Sequence, residues 1–558
     1  MSENPVKKQS FLQGAAILAI ATILVKLMGF LFKTPLQMII TEAGFGYFNT
    51  AYDVYNVLLM ISTTGLPVAM SRMISEAQAL GNQAQIRKIY TSSRLVFLII
   101  GIVGSLGMLL LCRPLSVMVT TNENSWAAIA ALSPCVLLIC MISAYRGFFQ
   151  GQSNMTPTSV SQIIESLLRL VVGLGAAWLV MKLTGEAAVR TQHIVLAPGE
   201  SAIHYGDITL GAGAGILGVT AGCLVSAIYL HAKFRSAGRT LDTSCGEALS
   251  TRRTVKLLLA IAIPITLGSA GLQIINLFDT MIYMRRLTGA LAWTADAADT
   301  AKGIYGYCQT VFALPCSLIT PITISSIPAI TAALTLHDPA EARRTEESAI
   351  RTMALISMPC AAGLFVMAGP IIRLLTAYGE SSLATATPVL TCLGIAVIFN
   401  STVLLFNAIL QAHGNVTTPV INMLIGGLVK IAVNYVLVAI PSLNITGAAI
   451  GTVVCYAVIT ILDVIALHRC LPEKPKILAN LVRPLLASVL MGAATYVIYG
   501  FVSKAISSAR LSCLIALALA VVIYLVLALA LRCVRYEDCL LLPKGEKIAK
   551  ILRIRKNS

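Results

Sequence analysis

Runs of about twenty predominantly apolar residues recur along the whole of this 558-residue chain, each long enough to cross the hydrocarbon of a bilayer as a helix. Hydrophobic residues make up 57% of it and charged ones 12%, against about 25% charged in an ordinary soluble domain. A water-soluble fold has nowhere to hide that much apolar surface, so lipid must be the solvent. A lone segment in hydrocarbon has to satisfy its own backbone hydrogen bonds, which predicts helix in every span and an all-α polytopic membrane protein. Fourteen spans are expected, over 12–38, 46–70, 92–112, 125–147, 157–181, 209–231, 254–282, 302–333, 350–370, 384–411, 417–440, 444–467, 480–502 and 510–532. Pro35, Pro67, Pro264, Pro315 and Pro328 fall inside them and predict kinks.

The chain also repeats itself. YRGFFQGQSNMTPTSVSQIIESLLRLV at 145–171 returns as FNAILQAHGNVTTPVINMLIGGLVKIA at 406–432, matching Gln150 to Gln411, Asn154 to Asn415, Thr156 to Thr417 and Arg169 to Lys430. The same offset carries Leu66-Pro67 onto Ile327-Pro328. A duplication read in one direction predicts two six-helix lobes in parallel repeat. The first covers 1–232 and the second 254–470, with a linker at 233–253; two further helices and a basic tail fill 471–558. Parallel repeats of this kind build alternating-access transporters, whose paired bundles expose a central path to one side and then to the other.

The net charge of +17 would suit nucleic acid, but its distribution points to a membrane instead. Basic residues gather in alternate loops: Lys7 and Lys8, Arg87 and Lys88, the 233–256 region, Arg343 and Arg344, the 469–476 region, and the tail. The intervening loops, TEAGFG at 41–46, TNEN at 121–124 and PSLNIT at 441–446, hold no Lys or Arg. By the positive-inside rule both termini are expected in the cytoplasm, and no nucleic-acid partner is expected. The first apolar stretch is too long for a signal-peptide core and has no small-residue cleavage site, so it is taken as the first membrane helix. The 14 cysteines form no C-x-x-C pair and read as packing residues. The longer outer loop at 182–208 is expected to form a small flap in which His193 and His204 are surface residues.

The run GFGYFNTAYDVYNVLLMISTTGLPVAMSRMISEAQA at 44–79 resembles the second helix of the polysaccharide-transporter branch of the multidrug/oligosaccharidyl-lipid/polysaccharide exporter superfamily. VKLMGF at 25–30, the Gln-x-x-x-Asn-x-Thr hinges at 150–156 and 411–417, and TAYGE at 376–380 extend the likeness over the whole chain. Within that branch the pattern is closest to the stage V sporulation protein B group and similar to MurJ-type flippases of lipid II. The resemblance implies two lobes around a cationic cavity, and a groove beside the last two helices for a lipid tail. It also implies a substrate: an undecaprenyl-pyrophosphate-linked saccharide, either the peptidoglycan precursor or another cell-surface polysaccharide precursor.

Ionisable residues inside spans are costly and are functional candidates by default. Lys26 and Lys33, seven apart on the first helix, share one face and need an anion or water. Lys26 matches the basic residue that precedes Leu-Gly-Phe in the MurJ-type pattern, while the second basic position there falls on Phe32, one residue from Lys33. The family's cations on the second and eighth helices fall on Leu59 or Met60 and on Thr310. Arg72, Arg169, Arg285, Arg286 and Lys430 are the other candidates for a pyrophosphate, with Arg169 able to pair with Glu165 one turn away. Relatives with a sodium site build it from helices 7, 11 and 12, which makes Asp279 and Asn434 ion-coupling candidates beside Asp53. No cofactor is expected, only sodium or proton coupling. Membrane lipid and the lipid-linked saccharide are the expected partners, for a monomer. The absence of a G-x-x-x-x-G-K-[ST] motif argues against ATP hydrolysis. Two alternatives differ in what they require. A drug/cation antiporter of the same superfamily calls for twelve helices and an acidic cavity, and a membrane glycosyltransferase or polymerase calls for clustered carboxylates. Neither pattern is present, and the chain reads as a transporter rather than an enzyme.

Overall fold

The structure, a computed structural model, describes residues 11–191, 202–238, 248–471 and 473–534. His193, the side chain of His204, the middle of the linker and the basic tail lie outside the described residues. Among those described, thirteen helical segments are long and apolar enough to cross a membrane. The first of them, Ile20–Ala79, runs for 60 residues. At 1.5 Å per residue that is about 90 Å of helix, three times the hydrocarbon thickness. It is broken where the sequence reads TEAG: Thr41 takes φ 62° and ψ 178°, a strained conformation for a β-branched residue. This one segment therefore holds the first two of the fourteen expected spans.

The chain forms two compact units, Met1–Gly306 and Tyr307–Ser558. In the first lie α1 (Phe11–Met60), α2 (Leu66–Ala79), α3 (Gln83–Leu110), α4 (Cys112–Thr120), α5 (Trp126–Gly151), α6 (Thr156–Thr191), α7 (Ile208–Gly238), α8 (Thr251–Gly289) and the start of α9 (Ala295–Ser317). Here α7 packs on α5 and α6, while α8 packs on α1, α2 and α3. Helix α6 continues through the first ten residues of the expected 182–208 flap. The second unit holds the end of α9 and α10 (Thr320–Thr335), α11 (Pro339–Val366), α12 (Ala368–Leu375), α13 (Glu380–Ala412), α14 (Thr417–Leu437), α15 (Thr446–Cys470), α16 (Ile477–Ala505) and α17 (Ala509–Ala530). Its centre is α11, which carries α13 and α16, with α17 outside α16.

The duplication is visible in the turns. After α5, Ser153 adopts φ 58°, its N–H donates to the Gln150 carbonyl (3.0 Å), and Asn154 N–H donates to the Phe149 carbonyl (2.9 Å). After α13, Gly414 adopts φ 82°, its N–H donates to Gln411 (2.9 Å), and Asn415 N–H donates to Leu410 (2.9 Å). Both are Schellman closures, and the matched Asn side chain then accepts from the start of the next helix, Thr156 N–H at 3.3 Å and Thr418 N–H at 3.2 Å. The α2–α3 and α10–α11 turns match in the same way, with Asn82 and Asp338 capping Gln85 (2.9 Å) and Glu341 (3.0 Å).

One close approach positions the site. A Cβ on Gly303 of α9 would overlap the Glu42 carbonyl of α1, and one on Gly46 would overlap the Asp299 carbonyl. Only glycine lets the two backbones meet here. Gly303→Leu is expected to cost on the order of 1–3 kcal/mol through overpacking, read as a lower melting temperature of the purified protein. Melting equal to the wild type would mean that the two helices are not seated this closely.

Candidate anion-binding site

The charges within the spans of the first unit fall into two linked sets. The first is built on Glu165 of α6. Its Oε2 accepts from Arg146 Nη2 of α5 at 3.0 Å, and Arg146 Nε donates to Ser161 Oγ at 3.1 Å. Arg169, one turn along α6, places Nη2 3.8 Å from Glu165 Oε1, to which the Cys223 thiol of α7 also donates at 3.6 Å. Arg169 Nε and the Tyr52 hydroxyl of α1 are buried with no hydrogen-bond partner among the described residues. Lys33 of α1 is half-buried, and the charges acting on it are those of Arg169 and Asp53. Arg146 and Arg169 thus share a single carboxylate, a surplus of one positive charge within membrane-spanning helices, with the charge of Lys33 acting on Arg169 from α1. Such a surplus calls for an anion or for water.

The second set is acidic. Lys302 of α9 is 2% exposed and donates from Nζ to Thr50 Oγ1 at 2.8 Å and to Asp53 Oδ2 at 2.9 Å. Three residues earlier on α9, Asp299 is wholly buried and its Oδ2 accepts from Asn122 Nδ2 at 2.9 Å. The same amide donates to exposed Asp296 at 3.1 Å, and Asn124 Nδ2 donates to the Tyr47 hydroxyl at 3.1 Å. Asp53 joins the two sets, because it pairs with Lys302 and also acts on Lys33.

Lys33, Arg169 and Asp53, each singled out from sequence, are brought together here. Lys26 lies on the same face of α1 as Lys33, about 10 Å along it, and is exposed. Arg72 forms an exposed pair with Glu76 at 3.0 Å. Arg285 is exposed and Arg286 half-buried at the end of α8. Asp279, also on α8, is buried at 2% exposure, and its charge acts on Tyr283 together with that of Asp53. In the second unit Lys430 is half-buried on α14, and Asn434 is wholly buried against Gly451 of α15. Sequence reasoning passed over Lys302 and Asp299 because it began that span at residue 302. The signal was Asp-x-x-Lys at 299–302 inside an otherwise small and apolar stretch. Among the described residues no group of three or more His, Cys, Asp or Glu is placed to hold a metal ion.

The second unit carries an apolar cavity of about 580 Å³ between α11, α13 and α16, lined by Met358, Phe365, Ile398, Leu485, Val489 and Tyr496 among others. It lies beside the first of the two appended helices.

Two family models match the chain: one described as polysaccharide biosynthesis protein over residues 11–198, and MatE over 264–436. Stage V sporulation protein B of Bacillus subtilis (strain 168) is 26% identical over 546 residues, covering 96% of this chain and 98% of the relative. The lipid II flippase MurJ of the same organism is 25% identical over 504 residues, with 87% and 88% covered. Along nearly its whole length the chain is similar to members of the multidrug/oligosaccharidyl-lipid/polysaccharide exporter superfamily. Solved structures of this superfamily share its fold. A lipid II flippase MurJ in an inward closed conformation aligns with TM-score 0.65 at 13% identity, covering 92% of this chain and 98% of that one. An inward-facing multidrug resistance MATE family transporter gives TM-score 0.61 at 13% identity, with 86% and 98% covered. With thirteen membrane-crossing helical segments among the described residues and relatives of this kind, the chain is a multi-pass membrane transporter.

Proposed function

We propose that this transporter flips an undecaprenyl-pyrophosphate-linked saccharide across the cytoplasmic membrane by alternating access of two six-helix lobes. The substrate is the peptidoglycan precursor lipid II or another cell-surface polysaccharide precursor. One observation carries the reading: two guanidiniums share the one carboxylate of Glu165, and Arg169 Nε has no hydrogen-bond partner among the described residues, an arrangement that fits a pyrophosphate diester with its two negative charges and several acceptor oxygens. Lys33, Arg146 and Arg169 hold the headgroup, and Lys26 extends the cationic face. Lys430 is the second repeat's counterpart of Arg169. The cavity between α11, α13 and α16 has the apolar lining a polyprenyl tail requires. Similarity to the stage V sporulation protein B and MurJ proteins supports this substrate class over a drug, and supports a role in envelope or spore-wall synthesis. Both termini lie in the cytoplasm on this reading, and no bond is made or broken in the substrate.

The test replaces a depleted essential lipid II flippase with this gene and measures lipid II accessible from outside. Restored growth with restored exposure is the expected result. Good membrane expression without exposure removes lipid II and leaves the other polysaccharide precursors to be assayed in the same way. A protein that instead confers only drug efflux would place it with the multidrug branch.

A further inference from the structure

The acidic set does not balance its own charge. Lys302 commits its ammonium to Asp53 and Thr50, yet Asp299 sits three residues away on the same helix, wholly buried. Asp299 Oδ2 takes one hydrogen bond from Asn122, and its Oδ1 has no hydrogen-bond partner among the described residues. Asp53 is 29% exposed and shares its charge between Lys302 and Lys33, so the acid whose ionised form is left poorly matched is the wholly buried Asp299, in a helical segment apolar enough to span a membrane. An ionised carboxylate with half its acceptors unsatisfied is costly there, and the inexpensive remedy is to bind a cation.

We propose that Asp299 is a proton-binding site of this transporter, loaded from the side that carries Asp296 and Asn124 and emptied when Lys302 leaves Asp53. The exchange needs only the groups in place. While Lys302 pairs with Asp53, a proton on Asp299 Oδ1 makes the set neutral. When the Lys302–Asp53 pair opens, the ammonium is one helical turn from Asp299 and replaces the proton, which leaves to water. One ammonium is thus shared between two carboxylates, and a proton occupies whichever arrangement leaves Asp299 without it. The charged and titratable groups facing this site are Asp296 and Lys302 on α9, Tyr47 and Asp53 on α1, and, through Asp53, Lys33 on α1 and Tyr283 with Asp279 on α8. Asn122, Glu123 and Asn124 lie on the α4–α5 connection, and Asp207 precedes α7 and acts on Tyr47 with Asp296 and Asp299. A metal ion is the less suitable occupant, since the described residues offer no cluster of three acidic, His or Cys ligands.

What the proton drives rests on the transport reading, but its binding does not, and the experiment separates the two. Infrared difference spectra between acidic and alkaline pH are recorded on the purified full chain in lipid nanodiscs, without substrate. A protonated-carboxyl C=O band that shifts in D2O is expected in the wild type and absent from Asp299→Asn. Asp299→Glu should move the band in frequency, and this variant decides the matter if Asp299→Asn fails to reach the membrane. An unchanged band in either variant overturns the proposal. A band that sodium ions remove at constant pH, in the wild type but not in Asp299→Asn, overturns it in favour of a metal cation. In proteoliposomes an imposed proton gradient should raise flipping by the wild type at least tenfold and leave Asp299→Asn unaffected. Equal dependence in both would also overturn it, whereas no flipping of any lipid-linked saccharide with the band intact would fault only the substrate reading.

Discussion

Lys302→Met is expected to cost the first unit about 3 kcal/mol, among the largest losses available to a single substitution in it. The lysine side chain is 2% exposed, and its ammonium is held at 2.9 Å by Asp53 and 2.8 Å by Thr50. Removing it leaves Asp53 without its cation in a low-dielectric setting and strips Asp299 of the one positive charge on its own helix. Breaking a buried pair from one side typically costs about 3–5 kcal/mol. The lower figure applies because Asp53 is 29% exposed, so water can recover part of the loss. The consequence reaches the cationic set as well. A carboxylate released from Lys302 draws on Lys33, the next cation it acts upon, and Lys33 is then less available to an anionic headgroup. Asp53→Asn combined with Lys302→Met removes both charges and should regain more than half the stability, since the penalty lies in the orphaned acid rather than in the absent bond. The buried thiols of Cys135, Cys140 and Cys223 in this unit make reaction with a thiol-reactive dye on heating a direct readout. If Lys302→Met melts with the wild type, or the double variant melts no higher than Lys302→Met, the pair is not the clamp described here.

Much of the fold was legible because hydrocarbon leaves so few choices. Apolar run length alone located the helices, and the polar TEAG run announced the break at Thr41. The repeated Gln-x-x-x-Asn turns could be matched residue by residue before any geometry was known, because a Schellman closure needs a residue tolerant of positive φ followed by a capping side chain. A pair within one helix was legible too, since Glu165 and Arg169 stand one turn apart, whereas Arg72, taken for a substrate cation, pairs with Glu76 in the same way. What a linear reading could not supply was partners on different helices. Arg146 is the main partner of Glu165 because the hinge after α5 folds α6 back beside it, a contact no local pattern announces. Lys302 and Asp53 are far apart in the chain, and nothing in either neighbourhood names the other. In the second unit His413, on the duplicated hinge, pairs with buried Glu346 at 2.8 Å, and Asn422 donates to buried Asp463 at 2.8 Å. These contacts follow from which helix faces meet, a property of the packing rather than of any local pattern. Periodicity therefore found where charge enters the membrane but not how it is shared there.

Arg169→Ala should lower flipping of the lipid-linked saccharide about a hundredfold, equivalent to about 2.7 kcal/mol, the loss expected when one partner of a desolvated charge pair is truncated. The effect should fall on transport rather than on folding. Glu165 keeps its shorter, better aligned bond to Arg146 at 3.0 Å, so deleting a guanidinium 3.8 Å away orphans no buried acid. Arg169 Nε has no acceptor among the described residues, and a buried donor without an acceptor costs the resting fold rather than stabilising it. It gains its bond only when an anion arrives. Arg169→Lys should recover only part of the activity, because an ammonium restores the charge but not the planar fork that meets two phosphate oxygens at once. Lys182→Ala is the control, since it removes an exposed Lys–Glu pair on the same helix and such pairs contribute about 0–1 kcal/mol. Externally accessible precursor, normalised to the amount of each variant in the membrane, measures all three. A wild-type rate for Arg169→Ala would mean that the surplus charge around Glu165 is neutralised by water and lipid, and the headgroup would have to be sought at other cations. A loss shared equally by Arg169→Lys and accompanied by reduced membrane abundance would instead make Arg169 a structural partner of Glu165. Only the graded series, with Ala lowest, Lys intermediate and abundance constant, is what a binding cation produces.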